Sequence, residues 1–279
     1  MTLRILWMSD RIWGFSAYSK VTYHTCLRLR AMGHQVAHLP MGRALKGGKF
    51  NNQGILLYPS GDDPFSENVA LDAYTDWRAD LLITLKEPWV FQYIHKYAMN
   101  FCPFAIIDHS PVSPSITSRL HTAFRILVPS RFAQRELVQA GIDPERIRYV
   151  PHGVDTNIYR PLEEHRADCR RLWFLEPDEF VVGIVAMNRA RKQIPRMLRG
   201  YKRFLELNPD VKSHLMLWSN VYPATQPQEA PMGVADVGVN LLPEIMQLGL
   251  GEAVRWPDSR LIQEGIPEWA GEDYKGGWD

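Results

Sequence analysis

Along this chain, short apolar runs of strand length alternate with longer segments whose apolar residues recur three and four apart. Residues 3–8, 35–39, 55–58, 80–85, 104–107, 124–128 and 147–150 read as strands. Between the first two, Tyr18, Val21, Thr25, Leu29 and Met32 fall on one face of a helix that Gly33 stops. Residues 66–78, 89–97 and 113–122 read as further helices, and Ser130 caps another that runs to Ala140 and stops at Gly141. The glycine-rich, basic stretch 42–54 reads as a surface loop. A second series follows, with a polar helix over 163–171, strands at 181–185, 214–219 and 253–256, and helices from 194 and over 240–248. A Pro-rich loop at 221–233 interrupts it. Strands that alternate with helices predict doubly wound α/β layers with mostly parallel sheets.

The length of 279 residues suits about two domains. Pro151, Gly153 and Asp155 break the pattern between the two series, so the expected domains are 1–160 and 161–279. With 32 Lys and Arg against 31 Asp and Glu, the net charge of +1 gives no global field toward nucleic acid or an anionic membrane. The charge is uneven, however. Residues 189–203 hold seven basic and no acidic side chains, and 204–279 hold twelve acidic against four basic. Cys26, Cys102 and Cys169 are too few and too widely spaced for a disulfide framework or a thiolate metal site, which suggests a reducing, cytoplasmic setting. No run approaches the roughly 20 apolar residues of a membrane-spanning helix, although peripheral membrane contact stays open.

The basic stretch changes the picture most. Val181, Val182, Ile184 and Val185 form a strand-length run, and Ile194, Met197, Leu198, Tyr201, Phe204 and Leu205 form a helix face. Asn188, Arg189, Ala190, Arg191, Lys192 and Gln193 lie between them, and Pro195 fits the first helical turn. A helix start with cations in the preceding turn favours phosphate, because its free N–H groups and dipole attract an anion. Arg196, Arg199, Lys202 and Arg203 read instead as a solvated face. The turn is neither a dinucleotide fingerprint nor a P-loop. Three weaker candidates stand near strand ends. Gly14 with Ser16 lets backbone approach a ligand, His109 in Asp108-His109-Ser110-Pro111 can meet a sugar hydroxyl, and Glu87-Pro88-Trp89 offers a carboxylate and an aromatic face.

The segment VPHGVDTNIYRP at 150–161 resembles the linker of GT-B glycosyltransferases of the family 4 type, a retaining, nucleotide-sugar-dependent group. Four further features match it in order: the Gly14 loop, DHSP at 108–111, VPSRFAQRELVQAG at 128–141 and N-R-x-R-K at 188–192. The resemblance implies two Rossmann-like domains facing a cleft, with the acceptor on the N-terminal side and the donor on the C-terminal side. It implies donor-phosphate contacts from Arg191, Lys192, Arg189, Asn188 and Gly14, and a catalytic place for His109 near the transferred sugar. His152, Gly153 and Asp155 become hinge and cleft positions. A nucleotide-diphosphate sugar would be the co-substrate, without cofactor or metal, and the acceptor would be a glycan, lipid or small molecule. In two places the chain departs from the family. The loop glycine after the basic turn is Gln193, and the paired carboxylates of the family's E-x7-E segment are expected beyond Asp279, so the second domain is expected to be incomplete. A non-catalytic module that needs its missing half or a partner, and a GT-B sugar-nucleotide epimerase, stay open as alternatives.

Overall fold

The computed structural model describes residues 1–14, 16–222 and 238–257. It divides into two units, Met1–Val154 and Asp155–Asp279, so the division falls six residues before the expected 160. Much of the expected Pro-rich loop lies outside the described residues.

The first unit holds β1 (Arg4–Ser9), α1 (Ala17–Ala31), β2 (Gln35–Pro40), β3 (Phe50–Asn52), β4 (Ile55–Leu57), α2 (Ala70–Trp77), β5 (Leu81–Leu85), β6 (Phe101–Phe104), α3 (Pro114–Leu120), β7 (Ile126–Val128), α4 (Arg131–Gln139) and β8 (Ile147–Tyr149). Its sheet runs β3-β4-β2-β1-β5-β6-β7-β8 and is parallel except for β3. Both faces are covered, as the continuous apolar runs require. Leu6, Met8, Ala37 and Leu39 pack with Ala73, Leu120 and Leu137 from α2, α3 and α4. Ile5, Trp7 and Val36 point the other way, toward α1. The chain winds outward from β1 through β2 to β4 and then returns to β5 on the other side of β1. The topological switch point therefore lies between β1 and β5.

Four local expectations are corrected. In α1 the buried stripe is Ser19, Thr22 and Cys26, while Met32 is exposed and Tyr18, Val21 and Leu29 only flank the core. Small side chains bring the helix close to the sheet, where the Trp7 indole donates to Thr22 Oγ1 at 3.1 Å. The loop at 42–54 contains an edge strand, β3. It turns into β4 through Gln53 and Gly54, both at positive φ as a two-residue hairpin turn requires. Residues 89–97 form two 3-10 turns rather than a helix. The buried Glu67 carboxylate accepts from the backbone N–H groups of Gln92, Tyr93 and Ile94 at 2.9, 2.7 and 2.5 Å and fixes them in a non-helical path. Strand β6 lies three residues earlier than 104–107, where Phe101–Phe104 pair in parallel register with Leu82–Leu85 of β5.

The second unit holds α5 (Arg166–Leu172), β9 (Phe180–Val185), α6 (Ile194–Leu207), β10 (Ser213–Trp218), α7 (Leu242–Gln247) and β11 (Val254–Arg255). Among the described residues its sheet is β11-β10-β9, wholly parallel, with β9 at one edge. Ile194, Leu198 and Tyr201 of α6 and Ile245 of α7 bury against Leu215 and Leu217. Among the described residues, no helix is long and apolar enough to cross a membrane.

Candidate functional site

Two groups of side chains stand at the carboxyl ends of the parallel strands, one in each unit. In the second unit, β9 delivers the chain to the basic turn. Residues Ala190–Lys192 form a single 3-10 turn, and Gln193 begins the 14-residue α6 with Pro195 in its first turn. Arg189, Arg191 and Lys192 are thereby gathered around a helix N-terminus that carries no acidic side chain in its first turn. Gln193 has φ 54°, a left-handed conformation in which glycine rests without cost and other residues lose about 1 kcal/mol. The position expected to be glycine is thus built as a glycine position but filled by glutamine, whose Nε2 donates to Ala190 O at 2.9 Å.

Asn188 is not free to serve as the phosphate contact it was expected to be. Its Nδ2 donates to Asn220 O and Val239 O at 2.9 and 2.7 Å, and its Oδ1 accepts from Val239 N at 3.1 Å. A buried amide with donors and acceptor committed to backbone is a brace. It ties the end of β9 to the segments at 220 and 239, and Gly238 packs so closely on it that a Cβ there would come within 2.5 Å of Asn188 O. Downstream along α6, Arg199 pairs with Glu244 of α7 at 2.7 Å and Arg203 with Glu206 at 3.1 Å, as a solvated face does.

In the first unit the residues around the switch point form a network that joins the sequence candidates Ser16 and Glu87 to Asp10, Tyr18 and Lys86, which sequence reasoning missed. Asp10, just past β1, takes Lys86 Nζ on Oδ1 at 3.0 Å and the Ser16 hydroxyl on Oδ2 at 2.6 Å. Lys86 and Glu87 follow β5. The Lys86 ammonium sits 4.6 Å from the centre of the Tyr18 ring, and the Tyr18 hydroxyl donates to Glu87 Oε1 at 2.6 Å. Burial and the Glu87 carboxylate raise the Tyr18 pKa, so the phenol stays protonated and donating. Gly14 belongs to this group sterically. A Cβ there would come within 2.4 Å of Ser19 Oγ, and Ser19 Oγ lies 3.0 Å from Ser16 Oγ. Asp10 and Lys86 are 76 residues apart, so only the observation that each directly follows an apolar run hinted at their meeting.

His109 stands on the loop after β6, two strands along from β1, with Nδ1 3.1 Å from Asp108 Oδ1 and the side chain 44% exposed. Its carboxylate neighbour is its immediate sequence neighbour, and Ser110–Pro111 is cis. His152 lies in the last residues of the unit with its ring 5.1 Å from that of Phe104, and burial there lowers its pKa. Gly153 has neither a positive φ nor a neighbour that a Cβ would meet. Asp155 opens the second unit as a turn former, with its Oδ1 accepting from Asn157 N at 3.0 Å and its carbonyl from Tyr159 N at 2.8 Å. Among the described residues, no group of three or more His, Cys, Asp or Glu is placed to hold a metal ion.

A switch-point network on one doubly wound unit, followed by a cationic strand–turn–helix on a second parallel unit, defines a two-unit α/β protein of the GT-B class. The chain belongs to Glycosyltransferase Family 4, whose family model matches residues 19–158. It is 34% identical over 122 residues to a D-inositol 3-phosphate glycosyltransferase of Acidothermus cellulolyticus, a match that covers 42% of this chain and 27% of that protein. The aligned segment is thus about a quarter of the curated relative's length. Among solved structures, sucrose-phosphate synthase from Thermosynechococcus elongatus superposes with a TM-score of 0.64 at 14% identity, over 92% of this chain and 70% of that one. HepE from Anabaena, solved in complex with UDP-glucose, superposes at 0.59 and 15% identity, over 92% and 69%. At such identities the likeness is one of fold.

Proposed function

We propose that this protein transfers a sugar from a nucleotide-diphosphate sugar to an acceptor hydroxyl with retention of anomeric configuration. The observation that carries the reading is the turn at 189–192 feeding α6. Negative charge grows on the departing diphosphate as the glycosidic bond breaks. Arg189, Arg191, Lys192 and the first N–H groups of α6 are the groups that stabilise it. A charge-assisted hydrogen bond is worth roughly 1.5–3 kcal/mol, so two or three supply several kcal/mol of the barrier reduction. The family membership and the relative's name, a glycosyltransferase acting at an inositol phosphate, support the same class. The acceptor belongs on the first unit, where Asp10 and Glu87 present carboxylates to a hydroxyl and Gly14 keeps the backbone open. His109 has the role of orienting the transferred sugar. The nucleotide sugar is a co-substrate, no resident cofactor is needed, and three free cysteines suit a reducing cytoplasmic setting.

Incubating the chain with a panel of nucleotide-diphosphate sugars, with and without polyol and glycan acceptors, tests the proposal. Release of nucleoside diphosphate from at least one donor is expected, and release from none of them sinks the transferase reading.

A further inference from the structure

A second concavity lies at the carboxyl edge of the first unit's sheet, away from the switch point. Arg43, Leu45 and Lys46, past the end of β2, and Ser60, Gly61 and Asp62, past the end of the adjacent β4, line a cavity of about 360 Å³. That volume is at the lower end of the range for small-molecule sites. Its wall is held firmly. Ser60 Oγ accepts from Leu45 N at 3.1 Å and donates to Pro40 O at 2.9 Å, and Ser60 N donates to Leu45 O at 2.8 Å. Gly61 N donates to the buried Ser66 Oγ at 3.1 Å, and Gly42 N donates to Pro64 O at 2.8 Å. The stretch that reads as a plain surface loop in the sequence is therefore stitched to the loop after β4 and shaped into a pocket.

The cations in it are not spent. Arg43 is anchored by one bond, Nε to Asp62 O at 2.6 Å, which leaves both Nη nitrogens without a partner among the described residues. Lys46 makes no ion pair among the described residues, and Asp62, although it lines the cavity, pairs with neither cation. An arginine held by its Nε and open at its outer fork suits a two-oxygen anion, and a nearby ammonium adds charge. We infer that this pocket takes an anionic group, a phosphate or carboxylate, carried by the acceptor. The position fits a single molecule that spans both places. In the order β4-β2-β1-β5 the pocket over β4 and β2 is two strand spacings, about 10 Å, from the network over β1 and β5. An acceptor anchored by its anion at Arg43 and Lys46 would lay a hydroxyl over Asp10 and Glu87.

The inference rests on the transfer reading for the word acceptor, but its test does not. Titration calorimetry on the full chain with glucose 6-phosphate, glucuronate and glucose reads the pocket directly. Glucose 6-phosphate or glucuronate is expected to bind at least about tenfold tighter than glucose, and whichever is tighter names the anion. Arg43→Gln and Lys46→Gln, with melting temperature checked against the parent, are each expected to remove about tenfold of that affinity while leaving glucose unchanged. Binding of the charged and neutral sugars with equal affinity, or equal weakening of all three by the variants, overturns the inference. A pocket that behaves as expected in a chain that turns over no donor would leave the inference standing and the transfer reading overturned.

Discussion

Replacing Glu67 by Ala is expected to cost about 3–5 kcal/mol of the first unit's stability and to lower its melting temperature by roughly 10 °C. Glu67 is 3% exposed, and its carboxylate is the common acceptor for three consecutive backbone N–H groups, those of Gln92, Tyr93 and Ile94. Without it these donors lose their partner. Ile94 suffers most, since it is fully buried and water cannot replace the bond. The segment is the connection from β5 to β6 and leads directly from the switch-point residues Lys86 and Glu87, so its loss also loosens their network. Glu145→Ala, on an exposed turn, is expected to change stability by no more than about 0.5 kcal/mol. Thermal unfolding followed by circular dichroism checks both. A Glu67→Ala protein that melts within 2 °C of the parent, on the order of 1 kcal/mol, would remove the buried carboxylate from the account.

Lys192→Ala is expected to weaken binding of a nucleoside diphosphate by about 10- to 150-fold, the equivalent of one charge-assisted hydrogen bond of roughly 1.5–3 kcal/mol. Arg196→Ala, one turn into α6 on its exposed side, is expected to change it by less than twofold. Equal effects of the two substitutions would mean that the seven basic residues act only as a diffuse positive patch.

The parts of this fold that rest on local chemistry were legible in the sequence. Ser130 caps α4 through Ala133 N at 3.0 Å, and Gly141 stops it at φ 85°, where the two residue types alone predict a start and an end. The apolar runs of β1, β2 and β5 are buried on both faces, as parallel strands between helices must be. The first exceptions arise where a distant residue overrules a local pattern. The helical spacing of 89–97 yields to Glu67, some 25 residues away, and the apolar face of α1 yields to Trp7's need for Thr22. The β3–β4 turn escaped notice because Gln53-Gly54 puts a glutamine where Asn or Asp usually signals positive φ. In the site, the cations at 189–192 are contiguous and could be read directly. The Asp10, Tyr18, Lys86 and Glu87 network joins positions 69 and 76 apart, so topology had to assemble it. Asn188 shows the converse, since its place in a motif says nothing of the three backbone bonds that use it up.

The central claim, that the turn between β9 and α6 holds the donor diphosphate, is tested most directly by titrating UDP into isotope-labelled protein and following backbone amide shifts. The account predicts that the largest shifts fall at 189–194, that they saturate, and that Lys192→Ala moves their midpoint to a UDP concentration about 10- to 150-fold higher. Saturating shifts centred elsewhere, with 189–194 unmoved, would contradict it.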